Sequence, residues 1–166
     1  MKGYSVNRIP HSSIEQTVEE MRKLAWEGQT SPLVRNTAIN IIRDVRSRSE
    51  LSEIAAIYYA VAKRVRYAYD PKGHELLQHP SITLELMAGD CDDMSILLAS
   101  LFCCTRILSV GYDARFKLCG FEGNGSFSHV FLEVGTGGKW IALDPVAGPN
   151  CSEMLSKITD SKVLEM

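Results

Sequence analysis

Gly89-Asp90-Cys91-Asp92-Asp93-Met94-Ser95-Ile96-Leu97-Leu98-Ala99-Ser100-Leu101 sets a cysteine at the N-terminus of the strongest helical pattern in the chain. Met94, Leu97, Leu98, Leu101, Phe102 and Ile107 recur at helical spacing and predict a helix over 92–108. Gly89 permits close backbone approach, and Asp92 and Asp93 suit the first turn, where the dipole favours negative charge. The same unpaired N–H groups favour thiolate at Cys91 and can bind the oxyanion of a tetrahedral intermediate. The neighbouring carboxylates oppose that ionisation, so a thiolate here calls for a cationic partner.

Upstream, short connections separate periodic segments. Ile14, Val18, Met21, Leu24 and Ala25 predict a helix over 12–28, with Ser12 or Ser13 as its cap and Gly28 at its end. Ser31-Pro32 reads as an N-cap followed by proline, opening a second helix with Leu33, Val34, Ala38, Ile41, Ile42 and Val45 on its apolar face. A third starts near Ser49, with Glu50 and Glu53 in its first turn. It runs through Ile54, Ile57, Tyr58, Val61, Ala62 and Val65 until Asp70-Pro71-Lys72-Gly73 stops it. Residues 70–90 read as irregular, with a short helix around Ser81–Met87.

Past Gly111 the period changes to two, and strands are predicted over 112–118, 127–134 and 139–144. Helices first and antiparallel strands afterwards give an α+β fold. Gly135-Thr136-Gly137-Gly138 is a hairpin signal. A symmetric turn there pairs Val134 with Lys139, Leu132 with Ile141 and His129 with Asp144, which puts an imidazole within hydrogen-bonding reach of a carboxylate. His129 shares its face with Phe127, Phe131, Trp140 and Ala142; Val130, Leu132, Ile141 and Leu143 occupy the other. Both faces are apolar enough to be covered, and the Cys91 helix is the expected cover of the His129–Asp144 pair.

Cys91, His129 and Asp144 so arranged are a nucleophile, a general base and a group that orients the base. The segment 89–101, Gly-Tyr-Asp-Ala-Arg-Phe (111–116), Ser-His-Val-Phe-Leu-Glu-Val (128–134) and Lys-Trp-Ile-Ala-Leu-Asp-Pro (139–145) resemble the transglutaminase-like family. The resemblance spans residues 55–146, and the layout is similar to the small versions encoded by bacteriophages and prophages. It implies a papain-like fold in a single domain over 1–166, with 1–50 a helical N-terminal extension and 55–146 the catalytic core. The family's nucleophile maps onto Cys91, its histidine onto His129 and its aspartate onto Asp144. Thiol acylation by a peptide or a glutamine carboxamide is implied, with release to water or an amine. The phage likeness adds phage structural proteins as partners, and the bacterial host's cytoplasm or the virion as location. The family often supplies a side-chain oxyanion donor upstream, for which Gln78 is the candidate. The sheet domains and calcium sites of large animal transglutaminases have no room in this length.

The 166 residues, 45% hydrophobic and 23% charged, suit a soluble globular domain and exclude a disordered chain or a disulfide-stapled scaffold. A net charge of -2 demands no polyanion, and the Arg43-Arg46-Arg48 and Lys63-Arg64-Arg66 clusters read as solvated helix faces, so no nucleic-acid partner is expected. Neither a membrane-spanning run nor a secretory signal in Met1–Pro10 is visible, which reads as an intracellular protein without a membrane partner. Five cysteines occur without a C-x-x-C pair. Cys103 and Cys104 point to different sides of their helix, and Cys119 and Cys151 read as stray thiols in or near loops. Asp70, Asp90, Asp92 and Asp93 lack the spacing of a calcium loop. No metal and no cofactor are therefore expected. Tyr58, Tyr59, Tyr67 and Tyr69 are expected to pack the core, and Gly120–Ser126 to form a lid or rim before His129.

The leading expectation is a cysteine-dependent hydrolase that cleaves a peptide or isopeptide bond through a thioester, with a peptide or protein substrate. The alternatives are amide transfer to an amine, transfer of another acyl group such as acetyl, and a catalytically idle structural or interaction module.

Overall fold

The computed structural model describes residues 6–8, 13–45, 49–72, 74–105, 112–148 and 151–166. Ser12, Arg46, Arg48 and the 106–108 end expected for the Cys91 helix lie outside the described residues.

Helix α1 (Ile14–Gly28) starts at a capping box. Ser13 Oγ accepts the Gln16 N–H at 3.3 Å, and Gln16 Oε1 accepts the Ser13 N–H at 2.9 Å. At its last residue, Gly28, a Cβ would stand 2.3 Å from Ser100 Oγ and 2.6 Å from Pro80 Cγ. Glycine there lets α1 close onto the central helix. Helix α2 (Pro32–Arg43) follows Ser31 with proline at its start, and α3 (Glu50–Arg64) is capped by Ser49 Oγ, which accepts the Ser52 N–H at 3.2 Å.

Helix α3 ends short of the Asp70 stop signal, because Val65 turns extended and Arg66–Tyr67 form strand β2. The stretch 70–90 is more regular than its sequence suggests. It holds β3 (Leu76–Gln78), the expected short helix α4 (Pro80–Leu86) and β4 (Ala88–Gly89). Strand β4 pairs in parallel with β2, setting Tyr67 beside Gly89, while β1 (Val6–Arg8) pairs antiparallel with β3. Strands this short offer no period to read.

Helix α5 (Cys91–Thr105) is the hub. Every residue from Asp93 to Thr105 is buried, and α1, α2, α3 and α4 all pack against it. A helix apolar on all sides belongs inside a fold.

Against α5 lies an antiparallel sheet of β5 (Asp113–Gly120), β6 (His129–Thr136), β7 (Lys139–Leu143) and β8 (Asp160–Glu165), in the order β7-β6-β5-β8. The architecture is thus the expected α+β one, helical in its N-terminal half with a small sheet packed on the Cys91 helix. Strand β8 and helix α6 (Cys151–Ser156) before it were not expected from the sequence. β8 adds a fourth strand, pairing Leu164 with Phe116 of β5.

The β6–β7 register differs from the expected one by two residues. The turn is Gly137-Gly138, with φ of 56° and 74°, so Thr136 faces Lys139, Val134 faces Ile141 and Leu132 faces Leu143. A two-residue hairpin needs left-handed backbone at both central positions, which the two glycines supply. An even shift keeps every side chain on its face, so His129 and Asp144 still share a side. The cover is not the expected one. Val130, Leu132 and Val134 form one apolar cluster with Met94, Leu97 and Leu98 of α5, and Ser95 Oγ donates to Val130 O at 3.4 Å. The His129 side instead carries buried Phe131, buried Glu133 and, directly across on β5, Cys119. Cys119 is therefore a buried strand residue, not a loop thiol; Cys103 and Cys104 are buried in α5. The Cys151 side chain lies outside the described residues.

Candidate active site

The start of α5 is built by reciprocal carboxylate caps. Asp90 Oδ1 accepts the N–H groups of Asp92 (3.1 Å) and Asp93 (3.2 Å), and Asp93 Oδ2 accepts the Asp90 N–H at 3.3 Å. The other oxygen of Asp93 accepts the Gln78 N–H at 2.8 Å, tying β3 to the cap. Gly89 makes room for this arrangement, since a Cβ there would stand 2.6 Å from Asp93 Cβ and 2.9 Å from its Oδ2. Gly89→Ala is expected to lower stability by about 1–3 kcal/mol by forcing that carboxylate aside, read as a lower midpoint in urea unfolding.

The caps also answer where an oxyanion can bind. The N–H groups of Asp92 and Asp93 go to Asp90 Oδ1, and that of Met94 to Asp90 O at 3.0 Å. Among the described residues the Cys91 N–H makes no hydrogen bond, which leaves it as the open donor of the first turn. Gln78 is not placed for this task. It does not line the Cys91 cleft, and its Oε1 accepts from Thr83 Oγ1 at 3.4 Å.

His129, at the first position of β6, and Asp144, just past the end of β7, come together by side chain. His129 Nε2 lies 2.6 Å from Asp144 Oδ2. The second oxygen of Asp144 accepts the N–H groups of Val146 (2.9 Å) and Ala147 (3.2 Å), so the buried carboxylate is held at both ends. Its backbone is held as well: Tyr58 of α3 donates its hydroxyl toward Asp144 O (3.1 Å) and Gly148 O (3.3 Å). Tyr58→Phe is expected to cost about 1 kcal/mol in chemical denaturation, the worth of an ordinary buried hydrogen bond.

Cys91 is half-buried, with its Sγ 3.8 Å from Asp92 Oδ1. Burial pushes its thiol up, and the Asp92 and Asp90 carboxylates push it further. Hydrogen bonds from the backbone of Val130 and Asp92 act the other way and do not prevail. Burial and the two carboxylates outweigh the helix-start effect and hold the Cys91 thiol above its ordinary value. Val130 is the residue after His129, so the contact at the sulfur brings the start of β6 to Cys91.

Cys91 and His129 line one cleft of about 570 Å³. Its acidic side carries Asp70, Glu75, Asp90 and Asp92. Burial, with help from neighbouring carboxylates, pushes Asp90 up to about 6 and Asp92 well above its ordinary value. Asp93, behind them, is pushed up to about 7 for the same reasons. Tyr67 and Tyr69 form the rim, edge to face with centroids 4.9 Å apart. Both are exposed, as is Tyr59, so the expectation of four core tyrosines holds only for half-buried Tyr58. A second cavity of about 480 Å³ reaches His129 and Asp144 from another side, lined by Phe121, Met154 and Lys157 among others.

Residues 35–145, 111 of the 166, match the pattern of the transglutaminase-like superfamily. The chain belongs to that superfamily. A comparison with curated proteins finds no match. Among solved structures, this transglutaminase-like chain is similar to a "Putative Cysteine Protease" from Cytophaga hutchinsonii, with a TM-score of 0.55 and 19% sequence identity. The likeness covers 87% of this chain and 51% of that one, so the transglutaminase-like fold described here spans about half the length of its structural relative. None of the described helices is long and apolar enough to cross a membrane.

Sequence reasoning missed the cleft wall of this transglutaminase-like chain. Tyr67, Tyr69 and Glu75 reach the site through the β2–β4 pairing and the 70–76 loop, both formed by residues without a readable period. Asp70-Pro71-Lys72-Gly73 signalled a turn, yet nothing in it told which element the turn would face.

Proposed function

We propose that the protein is a cysteine-dependent hydrolase that opens a peptide or isopeptide bond through a thioester at Cys91. The observation that carries this reading is the His129–Asp144 hydrogen bond at the cleft that also holds Cys91. With Nε2–H donating to Asp144, neutral His129 offers Nδ1 as its acceptor nitrogen. In the proposed first step the Sγ–H proton passes to Nδ1 as sulfur attacks the carbonyl carbon. The C=O electron pair moves onto oxygen, where the Cys91 N–H stabilises it. Collapse of this intermediate breaks the C–N bond, and the His129 proton leaves with the amine. A water, deprotonated by His129, then attacks the thioester, releasing the acid and restoring the thiol. With burial and two carboxylates raising the Cys91 thiol, His129 is cast as a base that takes the proton as sulfur attacks.

Transfer to an amine in place of water is the second reading. The separate cavity beside His129 favours it, since it gives an acceptor its own approach.

Incubating the protein with a mixture of blocked glutamine- and lysine-containing peptides and recording intact mass tests the proposal. The expected result is an adduct on Cys91, released by hydroxylamine and absent in Cys91→Ala. Product carrying added water indicates hydrolysis, and product carrying an added amine indicates transfer. No hydroxylamine-sensitive adduct and no turnover on any peptide would leave the idle-module alternative.

A further inference from the structure

We propose that the Cys91 cleft selects an acyl donor with a cationic side chain, an ammonium or guanidinium of lysine or arginine type, received between the Tyr67–Tyr69 rim and the acidic wall. This rests on the reading of Cys91 as the nucleophile and names the substrate class of that site.

The rim is fixed by backbone. Pairing of β2 with β4 places Tyr67 opposite Gly89, two residues before the cysteine, and the Ala68 N–H donates to Gly89 O at 3.0 Å. Tyr69 then packs edge to face on Tyr67 while 87% exposed. An aromatic pair left that open beside a nucleophile is a surface for a ligand, and its ring faces attract cations.

The wall supplies the sign of the charge. Asp70 Oδ2 accepts the Leu76 N–H at 2.6 Å, which fixes the loop carrying Glu75, and Glu75 stands close enough to the Asp92 carboxyl to push it further up. Asp70, Glu75, Asp90 and Asp92 line the cleft beside Lys72 and two histidines, His74 and His129, and among the described residues none of the four acids makes an ion pair. Desolvation raises Asp70, Asp90 and Asp92, so the wall holds carboxylates that a cation would relieve. A compact metal ion suits the wall less well, because among the described residues no three ligating side chains converge. The cleft's volume and aromatic edge suit an organic cation on a peptide.

One consequence concerns the thiol. Asp92 and Asp90 help to hold Cys91 protonated, so a bound cation that offsets them eases loss of its proton. Substrate binding and nucleophile activation are then coupled.

The test uses blocked pentapeptides with lysine, norleucine or glutamate before a glutamine. Binding to the Cys91→Ala protein is measured by fluorescence anisotropy, and acylation of the wild type by intact mass. The lysine peptide is expected to bind about tenfold tighter than the norleucine peptide, with the glutamate peptide weakest. Rising salt narrows the difference. In Asp70→Asn/Glu75→Gln, which keeps an acceptor for the Leu76 N–H, the preference collapses. Equal binding of lysine and norleucine peptides, or a preference that survives the double substitution, overturns the proposal. Cation-selective binding without any acylation of wild-type Cys91 would instead leave cation recognition standing and defeat the hydrolase reading.

Discussion

Asp144→Asn slows acylation of Cys91 by about 10³-fold, within the range for losing one general-base function, while the protein stays folded. The imidazole nitrogen that carries the proton decides the outcome. In the wild type, Asp144 Oδ2 accepts the Nε2 hydrogen at 2.6 Å, leaving Nδ1 unprotonated for the thiol's proton. The asparagine oxygen can still accept the Val146 and Ala147 N–H groups, so the turn survives. Its NH₂ group then faces the imidazole and must donate. Nε2 becomes the acceptor, the proton moves to Nδ1, and the ring loses its capacity to take a proton from sulfur. Intact-mass acylation rates beside an unchanged urea midpoint check this. A loss of activity that tracked a loss of stability would point to a merely structural aspartate.

Phe116→Ala is expected to cost about 3–5 kcal/mol, the largest single stability loss among the substitutions considered. Phe116 is 0% exposed on β5, the strand with a neighbour on each side, opposite Leu132 and Leu164. It belongs to the cluster that joins the sheet to Met94, Leu97 and Leu98 of α5. Truncation there opens a cavity between two layers, each already fixed by its own hydrogen bonds, so collapse around the void is limited. The loss is a large share of the roughly 5–15 kcal/mol that holds a domain folded. Urea unfolding at unchanged m reads it directly, with Val163→Ala on the exposed side of β8 as a control expected to stay within about 0.5 kcal/mol.

What the sequence discloses follows from where its signals are long. The α5 run, the long helices α1, α2 and α3 and the alternating strands extend over several periods, and each stands in the fold where it was expected, with α3 ending short of its stop signal. The glycine-rich turn marked the hairpin, and the face shared by His129 and Asp144 survived a register error because the error was even. The order of layers was not legible. Both faces of β6 are apolar, so the pattern alone could not tell that α5 covers Val130, Leu132 and Val134 and not the His129 side. The cleft wall was out of reach for a different reason. β2 and β4 have two residues each, and their parallel pairing depends on a long-range contact that no local pattern encodes. At the thiol the sequence sets the helix start against the neighbouring carboxylates, and the burial that adds to the carboxylates' side comes only with the fold.

The central claim is that His129 serves as the base for Cys91. It is tested most directly by the rate of Cys91 alkylation with iodoacetamide against pH, followed by peptide mass spectrometry in the wild type and in His129→Ala. Cys103, Cys104 and Cys119, all buried, serve as internal references for an intact fold. In the wild type, His129 receives the proton, so the rate should level off well below the pH of about 8.5 at which a free thiol ionises. In His129→Ala no base receives the proton, burial and the Asp92 and Asp90 carboxylates hold the thiol up, and the rate should climb only at alkaline pH beyond that of a free thiol. Superimposable profiles for the two proteins would contradict the account, for they would show a cysteine that ionises without help from its neighbour.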